Sequence, residues 1–270
     1  MNNKAFLKNG ELTAGYINET EINTQIVAVY EVVRLISGKA LFFEDHFIRL
    51  QRSANLLGFE LKFSALTIKL HIEKLCKISD IHTMNVKVII QLAQEQIIYV
   101  YFIATAYPPD YAYKSGVKCN FLSIERPNPN AKSVGVNFDI RQKIEDRLES
   151  NQVFETILVN NTGIITEGSK SNIFFINENK LYTAPNALVL QGITRAKVIE
   201  LAASLKIEVE FAEITATEIA KFDAAFITGT SPKILPIAQI DSIKFNTENN
   251  TLQQLMDAYN QLINSYLTNT

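Results

Sequence analysis

Apolar positions in the first part of the chain follow two different periods. Residues 24–43 form an apolar, β-branched run broken by a Ser-Gly-Lys turn, which is typical of a β-hairpin. Residues 44–59 instead repeat apolar side chains at three- and four-residue steps, namely at Phe47, Leu50, Ala54 and Leu57. That period predicts an amphipathic helix that ends at Gly58. Within residues 67–107, the pattern predicts a second helix and then two paired strands.

The second half of the chain mixes short strand-like runs with helical periods. Strands are predicted at residues 153–161, 162–166, 171–177, 180–185, 207–214 and 224–230. Helices are predicted at residues 139–150, 193–205, 216–223 and 251–267. No internal repeat stands out, and the pattern predicts an α+β protein with two segregated halves.

Proline-rich stretches separate these halves. Residues 107–116 contain two prolines and a glycine, and a Pro/Asn/Gly loop follows further along the chain. We therefore predict a small N-terminal domain over residues 1–118, a linker over residues 119–130 and a larger C-terminal domain over residues 131–270.

Composition and charge exclude several classes of protein. Hydrophobic residues make up 47% and charged residues 20% of the 270 residues, as in a globular protein with a substantial core. The net charge is −2, from 26 basic and 28 acidic residues, and no long run has a single sign. This balance argues against nucleic acid or an anionic membrane as a partner.

Cysteine and histidine usage predicts neither disulfides nor a metal site. Cys76 and Cys119 are far apart and lie in no CxxC or Cys/His cluster, as expected of reduced cysteines in the cytoplasm. The three histidines lack the spacing of a zinc site. The first residues contain no apolar segment of signal-peptide length, and we expect a cytoplasmic protein without a membrane span.

Arg49 lies on the first predicted helix, away from its apolar stripe. The structural interpretation is that Arg49, like Arg52, is solvated on an exposed helix face. The functional interpretation is an anion clamp, because a guanidinium binds phosphate through two parallel hydrogen bonds.

Two stretches of the second half have features of an anion site. A glycine turn precedes the helix that is predicted to begin near Thr194, and the first N–H groups of a helix attract negative charge. An ordinary threonine N-cap would explain the same residues. Gly229, Thr230 and Ser231 end a buried strand and offer close backbone approach and hydroxyl groups, or form a simple loop.

Glu167 lies in the sequence ITEGSKSNIFFI, between two strongly apolar runs. A carboxylate in such a place must be solvated, paired with a donor or shifted in pKa. A surface turn is the structural interpretation, and a buried functional carboxylate is the alternative.

Four stretches, taken in order, resemble the class IV pyridoxal 5'-phosphate (PLP) aminotransferases. They are HFIRLQRSANLLGF, TEGSKSNIFFI, KLYTAPNALVLQGITR and FITGTSPKILPI, and the resemblance runs from about Tyr30 to about Ile240. The family includes branched-chain aminotransferases, D-amino-acid aminotransferases and aminodeoxychorismate lyases. The resemblance implies two α/β domains with PLP between them, and usually a homodimer.

The resemblance also implies roles for individual residues. Arg49 matches the arginine that binds the cofactor phosphate. Other phosphate ligands are matched by Ile193, Thr194, Gly229 and Thr230. Glu167 matches the glutamate that pairs with the pyridine nitrogen, where a carboxylate keeps the ring protonated. Ser171 and Asn172 would belong to the same cofactor-facing turn.

The lysine that holds the cofactor as a Schiff base is less plainly matched. We favour Lys132, although its distance from the Asn-Phe pair at residues 137–138 is longer than is usual. Lys143, in the charged helix, is the other lysine nearby, and we expect it to be solvated. An alignment without a gap would put Val134 at the lysine position, and the protein would then bind PLP without this catalysis.

The resemblance leaves the reaction open between two chemistries. The first is an aminotransferase that acts on an amino acid and a 2-oxo acid, with branched-chain-like substrates and 2-oxoglutarate as a partner. The second is an aminodeoxychorismate lyase that releases pyruvate and 4-aminobenzoate. In relatives the substrate wall draws on two strands of the first half, so Tyr30, Arg34 and Gln91 are candidate wall residues here.

Overall fold

The computed structural model describes residues 5–15, 17, 26–105, 107–134, 143–144, 146–148 and 152–269. The strands are β1 Ala5–Lys8, β2 Glu11–Ala14, β3 Ala28–Ile36, β4 Lys39–Ala40, β5 Met84–Gln91, β6 Ile97–Ile103, β7 Val117–Ser123, β8 Ser133–Val134, β9 Glu155–Val159, β10 Ile165–Gly168, β11 Asn172–Asn177, β12 Lys180–Thr183, β13 Val209–Phe211, β14 Ala224–Gly229, β15 Lys233–Ile240 and β16 Ile243–Lys244. The α-helices are α1 Phe43–Leu56, α2 Ala65–Ser79, α3 Ala112–Ser115, α4 Ile193–Ser204 and α5 Asn250–Asn269, and 3-10 turns cover Asn186–Leu188 and Ile219–Lys221.

The chain forms two compact units, each with its own sheet. The first unit comprises Met1–Ala106, Ala131–Asn137 and Ser265–Thr270, and the second comprises Tyr107–Asn130 and Phe138–Asn264. The predicted division at residues 118 and 131 stays a prediction. Strand β7, which overlaps the predicted linker, lies inside the sheet of the second unit.

In the first unit, the strands run in the order β2-β1-β6-β5-β3-β4, and β8 pairs with β3. Helices α1 and α2 pack on one face of this sheet, because their apolar stripes meet alternate residues of β3, β5 and β6 in one core. Leu50, Ile72, Val88 and Val100 are central members of that core. The opposite face carries the side chains of the other strand positions.

In the second unit, the strands run in the order β10-β9-β7-β15-β14-β11-β12-β13, and β16 pairs with β15. Strand β7 is parallel to both β9 and β15, whereas β14 is antiparallel to β11 and β15. The central strands β9, β11 and β14 read as nearly continuous apolar runs because they are buried throughout.

The structure confirms the mixed helix-and-strand fold and most of the predicted elements. The Ser-Gly-Lys turn joins β3 to β4, and Gly58 follows α1 with a positive φ of 82°. The hairpin β1–β2 and strand β15 were not predicted. The predicted helix at residues 216–223 is only a 3-10 turn, and the one at 139–150 lies mostly outside the described residues.

The described part of the chain contains neither a membrane-spanning helix nor a cluster of metal-binding side chains. None of its helices has the length and apolarity needed to cross a bilayer. Nor do its His, Cys, Asp and Glu side chains gather in groups of three or more that could hold a metal ion.

Candidate functional site

Glu167 is a buried carboxylate at the end of β10, with 2% of its surface exposed. Its Oε1 accepts a hydrogen bond from Arg126 Nη1 at 2.9 Å. Its Oε2 accepts from Asn172 Nδ2 at 3.3 Å and from the Leu190 backbone N–H at 3.0 Å. The interpretation of this stretch as a surface turn is therefore wrong, because the carboxylate is buried and accepts hydrogen bonds from a guanidinium and from neutral donors.

The two apolar runs around Glu167 are not the arms of one hairpin. Strand β10 pairs with β9, whereas β11 pairs with β12 and β14. The turn between β10 and β11 therefore needs no Asn-Gly dipeptide, since it joins strands with different partners. Within it, the Gly168 N–H donates to the Ser171 carbonyl at 2.8 Å.

A second buried carboxylate, Glu155 on β9, organises this turn. Its Oε1 accepts from Ser169 Oγ at 2.5 Å and its Oε2 accepts from Ser171 Oγ at 2.8 Å. Backbone N–H groups of Thr156, Ser169 and Lys170 donate to the same carboxylate. The close packing also requires Gly168, because a Cβ there would lie 2.1 Å from Ser171 Oγ. The hydroxyl groups of both serines in this stretch, Ser169 and Ser171, thus donate hydrogen bonds to Glu155.

Replacement of Glu155 by alanine is expected to destabilise the protein by roughly 3 kcal/mol, because several buried donors of the turn lose their acceptor. The measurement is the shift of the urea unfolding midpoint at unchanged m-value. Glu155→Gln keeps one acceptor oxygen, and its free energy of unfolding should be lower than that of the wild type by about 1 kcal/mol. Equal stability of Glu155→Ala and the wild type would contradict this assignment.

Helix α4 begins beside Asn172. Its N-cap is Gly192 and makes no side-chain capping bond, so the predicted threonine N-cap is wrong. Asn172 Nδ2 donates to the Leu190 carbonyl at 2.8 Å, and a Cβ on Gly192 would lie 2.1 Å from Asn172 Oδ1. Ile193 and Thr194 form the first turn, where backbone N–H groups have no partner inside the helix. This helix start is suited to an anion.

The turn between β14 and β15 contains the other predicted anion ligands. Gly229 pairs with Lys233 across it, and Thr230 lies within it. Thr228, next to Gly229, is 1% exposed, and within the described residues its hydroxyl has no hydrogen-bond partner. Since β14 is also paired with β11, Thr228 lies opposite Asn172. Asn172 thus contacts Glu167 and the segment before α4, and it lies opposite the strand that leads into this turn.

Lys132 is anchored in the first unit through its backbone. Its N–H donates to Ser53 Oγ on α1 at 3.1 Å, and its carbonyl accepts from the Tyr30 N–H at 3.1 Å. Its Nζ lies 4.7 Å from the centroid of the Tyr30 ring, within the range of a cation–π contact. Lys143, in contrast, is exposed, as predicted.

Tyr30, Arg34 and Gln91 lie on the face of the first sheet opposite to its helices. Directly paired residues of antiparallel strands share a face, and Tyr30 is paired with Ile89, Arg34 with Asn85, and Ala28 with Gln91. Tyr99 donates its hydroxyl proton to Gln91 Oε1 at 3.3 Å. The three predicted wall residues therefore lie on one face, and the Lys132 ammonium group contacts the Tyr30 ring of that face.

Lys87 belongs to the same face and was missed by the sequence interpretation. It is 7% exposed, and its Nζ lies 4.9 Å from the centroid of the Tyr30 ring. Lys87 and Lys132 thus both contact Tyr30. The sequence feature that could have identified Lys87 is a single charged residue inside an apolar strand, the same feature that drew attention to Glu167. Arg126, Glu31 and Glu155 were missed too, although the two glutamates have apolar flanks as well.

Arg49 is only 8% exposed, so the solvated interpretation is wrong for this arginine, whereas Arg52 is exposed. Arg49 Nε and Nη2 donate to the two oxygens of Glu31, each at 2.7 Å. His46 Nδ1 lies 2.7 Å from Glu31 Oε2. Burial alone would raise the pKa of Glu31, but Arg49 and His46 outweigh it and hold that pKa well below its ordinary value.

His46 predicts a pH-dependent stability. Burial lowers its pKa below 6.5, against the opposing effect of Glu31. In the window below pH 6.5, the unfolded chain therefore binds a proton that the folded chain does not. The stabilisation is complete above that window and is lost as the pH falls through it, by up to about 1.4 kcal/mol per pH unit. Urea unfolding at pH 5, 6 and 7 measures this slope, and His46→Gln should flatten it. Identical slopes would contradict the assignment.

Comparisons with known proteins show the family of the chain. The family described as Amino-transferase class IV matches residues 28–240. A D-alanine aminotransferase of Bacillus licheniformis is 28% identical over 237 residues, which cover 79% of this chain and 78% of that protein.

Two solved structures share the fold. The branched-chain aminotransferase of Escherichia coli superimposes with a TM-score of 0.84 at 20% identity, covering 97% of this chain and 95% of its own. The branched-chain aminotransferase of Thermoproteus uzoniensis, solved with norvaline, gives 0.82 at 22% identity, covering 96% and 94%. Because the family match spans most of the sequence, the chain belongs to the class IV aminotransferases.

Proposed function

We propose that this protein is a PLP-dependent aminotransferase that moves an amino group from an amino acid to a 2-oxo acid, with branched-chain-like substrates. The observation that carries the proposal is buried Glu167, which is tied through Asn172 and Leu190 to the start of α4. A ring-nitrogen partner and an anion site thus lie on connected elements, as PLP requires.

The residues of the second unit fit this cofactor. Class IV aminotransferases use PLP. Glu167 would accept a hydrogen bond from the ring nitrogen and favour its protonated form. The uncapped start of α4 at Ile193 and Thr194 would donate to the phosphate, together with Gly229 and Thr230. The buried Thr228 hydroxyl, unpartnered within the described residues, supports a polar ligand at this turn.

Residues of the first unit complete the proposal. Arg49 would bind the phosphate and Lys132 would carry the cofactor on its amine. When bound, PLP supplies an electron sink for the substrate carbon that loses its proton. The Lys132 amine would take the proton from that carbon and deliver it to the cofactor carbon, and it would move a proton in the reverse direction when the 2-oxo acid receives the amino group. Its fixed backbone favours this task, because proton transfer needs a positioned group.

The substrate side is proposed to be the sheet face around Tyr30. Arg34, Lys87 and Gln91 provide cationic and amide groups there, which suits the carboxylate of an amino acid or a 2-oxo acid. Lys87 is buried, and its ammonium group contacts the Tyr30 ring, as does the ammonium group of Lys132.

The test begins with the purified protein and PLP. We expect a visible absorption band from lysine-bound cofactor, and borohydride reduction followed by peptide mapping should place the phosphopyridoxyl group on Lys132. Incubation of D-alanine or a branched-chain amino acid with 2-oxoglutarate should yield glutamate. Release of pyruvate and 4-aminobenzoate from aminodeoxychorismate would instead establish the lyase. Absence of any covalent adduct would overturn both.

We further propose that the protein works in the cytoplasm as a homodimer. The family expectation supports the dimer, and the free, buried state of Cys76 and Cys119 supports a reducing compartment. Sedimentation at micromolar concentration measures the assembly, and a monomer with full activity would refute the dimer.

A further inference from the structure

Helix α1 carries a stripe of polar side chains on its buried side. His46, Arg49 and Ser53 recur at three- and four-residue steps and are 3%, 8% and 0% exposed. This spacing places them along one face of the helix. Polar groups on a buried face are costly unless each has a partner, so the partners indicate what the stripe does.

The first partner is Glu31, on the helix-facing side of β3. Val29 and Val33, its neighbours two residues away on that side, are apolar and buried. Glu31 binds the Arg49 guanidinium through two parallel hydrogen bonds of 2.7 Å, with His46 on its Oε2. Such a two-pronged contact fixes the plane of the guanidinium as well as its place.

The second partner is Lys132. Ser53 Oγ accepts from its backbone N–H, and the Tyr30 N–H of β3 donates to its carbonyl. Lys132 is therefore held from both sides by α1 and β3, the two elements that also present Arg49 and Glu31. A single helix–strand pair thus fixes both residues.

We propose that Glu31 and Ser53 are positioning residues. Glu31 fixes the guanidinium of the phosphate-binding Arg49, and Ser53 fixes the backbone of the amine-bearing Lys132. The inference rests on the proposed function, since it assigns both anchors to one cofactor. A purely stabilising role explains the network less well. Replacing a buried ion pair by apolar residues often leaves a protein as stable or more stable, so such pairs are poor evidence of stabilisation.

The test compares PLP with pyridoxal, which has the same aldehyde but lacks the phosphate. For Glu31→Gln, we expect the affinity for PLP to fall roughly 10- to 100-fold, whereas the affinity for pyridoxal stays within about threefold. A general loss of structure in the first unit would lower the affinity for PLP and for pyridoxal by the same factor. Glu31→Asp keeps the charge and should show a smaller loss of the same kind, which serves if Glu31→Gln does not fold.

Ser53→Ala, unlike Glu31→Gln, should affect PLP and pyridoxal to the same extent. Because Ser53 acts on the backbone of the amine-bearing residue, covalent attachment of PLP and of pyridoxal should slow by a similar factor of about ten. Stopped-flow absorbance follows both reactions. A loss confined to PLP, or no loss with either ligand, would overturn the role of Ser53.

Two further variants separate this inference from the proposed function. Cys76→Ala removes a buried group of the same core and should leave the ratio of PLP to pyridoxal affinity unchanged. A ratio shifted as much as in Glu31→Gln would overturn the inference. Arg49→Lys should lower the ratio. If it does so and Glu31→Gln and Glu31→Asp do not, only the inference fails. If Arg49→Lys leaves the ratio unchanged, the proposed phosphate site fails.

Discussion

Lys132→Ala is expected to abolish covalent attachment of PLP and to reduce transamination about 10⁴-fold, the upper end for a positioned proton-transfer group. The physical reason is that the lysine amine would serve as attachment point and as proton carrier. Steady-state turnover and the visible spectrum measure the two effects. Added methylamine should restore part of the activity, because a small amine can enter the space left by the side chain.

The matched control for this variant is Lys143→Ala. Lys143 is the other lysine of the same stretch and is exposed, so its removal should leave both spectrum and turnover unchanged. If Lys143→Ala lost the covalent adduct and Lys132→Ala kept it, the proposed assignment would be reversed. Normal activity in both variants would exclude catalysis by either lysine.

Glu167→Gln is expected to retain the covalent cofactor and to lose turnover by roughly 10²- to 10³-fold, the range for removing one electrostatic group from a reaction centre. The amide keeps an oxygen for the donors on Oε2 but has no charge with which to hold the ring proton. The ¹⁵N chemical shift of labelled PLP reports that proton directly. We expect it to move toward the unprotonated value.

The variant Glu167→Asp keeps the charge and separates electrostatics from packing. It should preserve more turnover than Glu167→Gln, even though the shorter side chain disturbs the contacts with Arg126 and Asn172. Thermal melting of both variants controls for folding. An unchanged ¹⁵N shift and full turnover in Glu167→Gln would refute the role of this carboxylate at the ring nitrogen.

The site was partly visible in the sequence because charge inside an apolar run is a local signal. Glu167 showed it, and so did Glu31, Lys87 and Glu155, which were not recognised. Arg126 gave no such signal, since it lies in a polar loop 41 residues from Glu167. Its role depends on the order β10-β9-β7, which brings together strands that are distant along the chain.

Local pattern predicted most of the helices and strands, and the resemblance of four stretches to the class IV family indicated the residues that are proposed to hold the cofactor. Hydrophobic period and turn residues are properties of neighbouring positions, so they need no tertiary information. Only the tertiary structure showed that Arg49 is buried and paired with Glu31, and that the two serines near Glu167 donate to Glu155. It also showed that the N-cap of α4 is Gly192, which makes no side-chain capping bond. These outcomes depend on burial, which makes an unpaired polar group costly and so selects partners from anywhere in the chain.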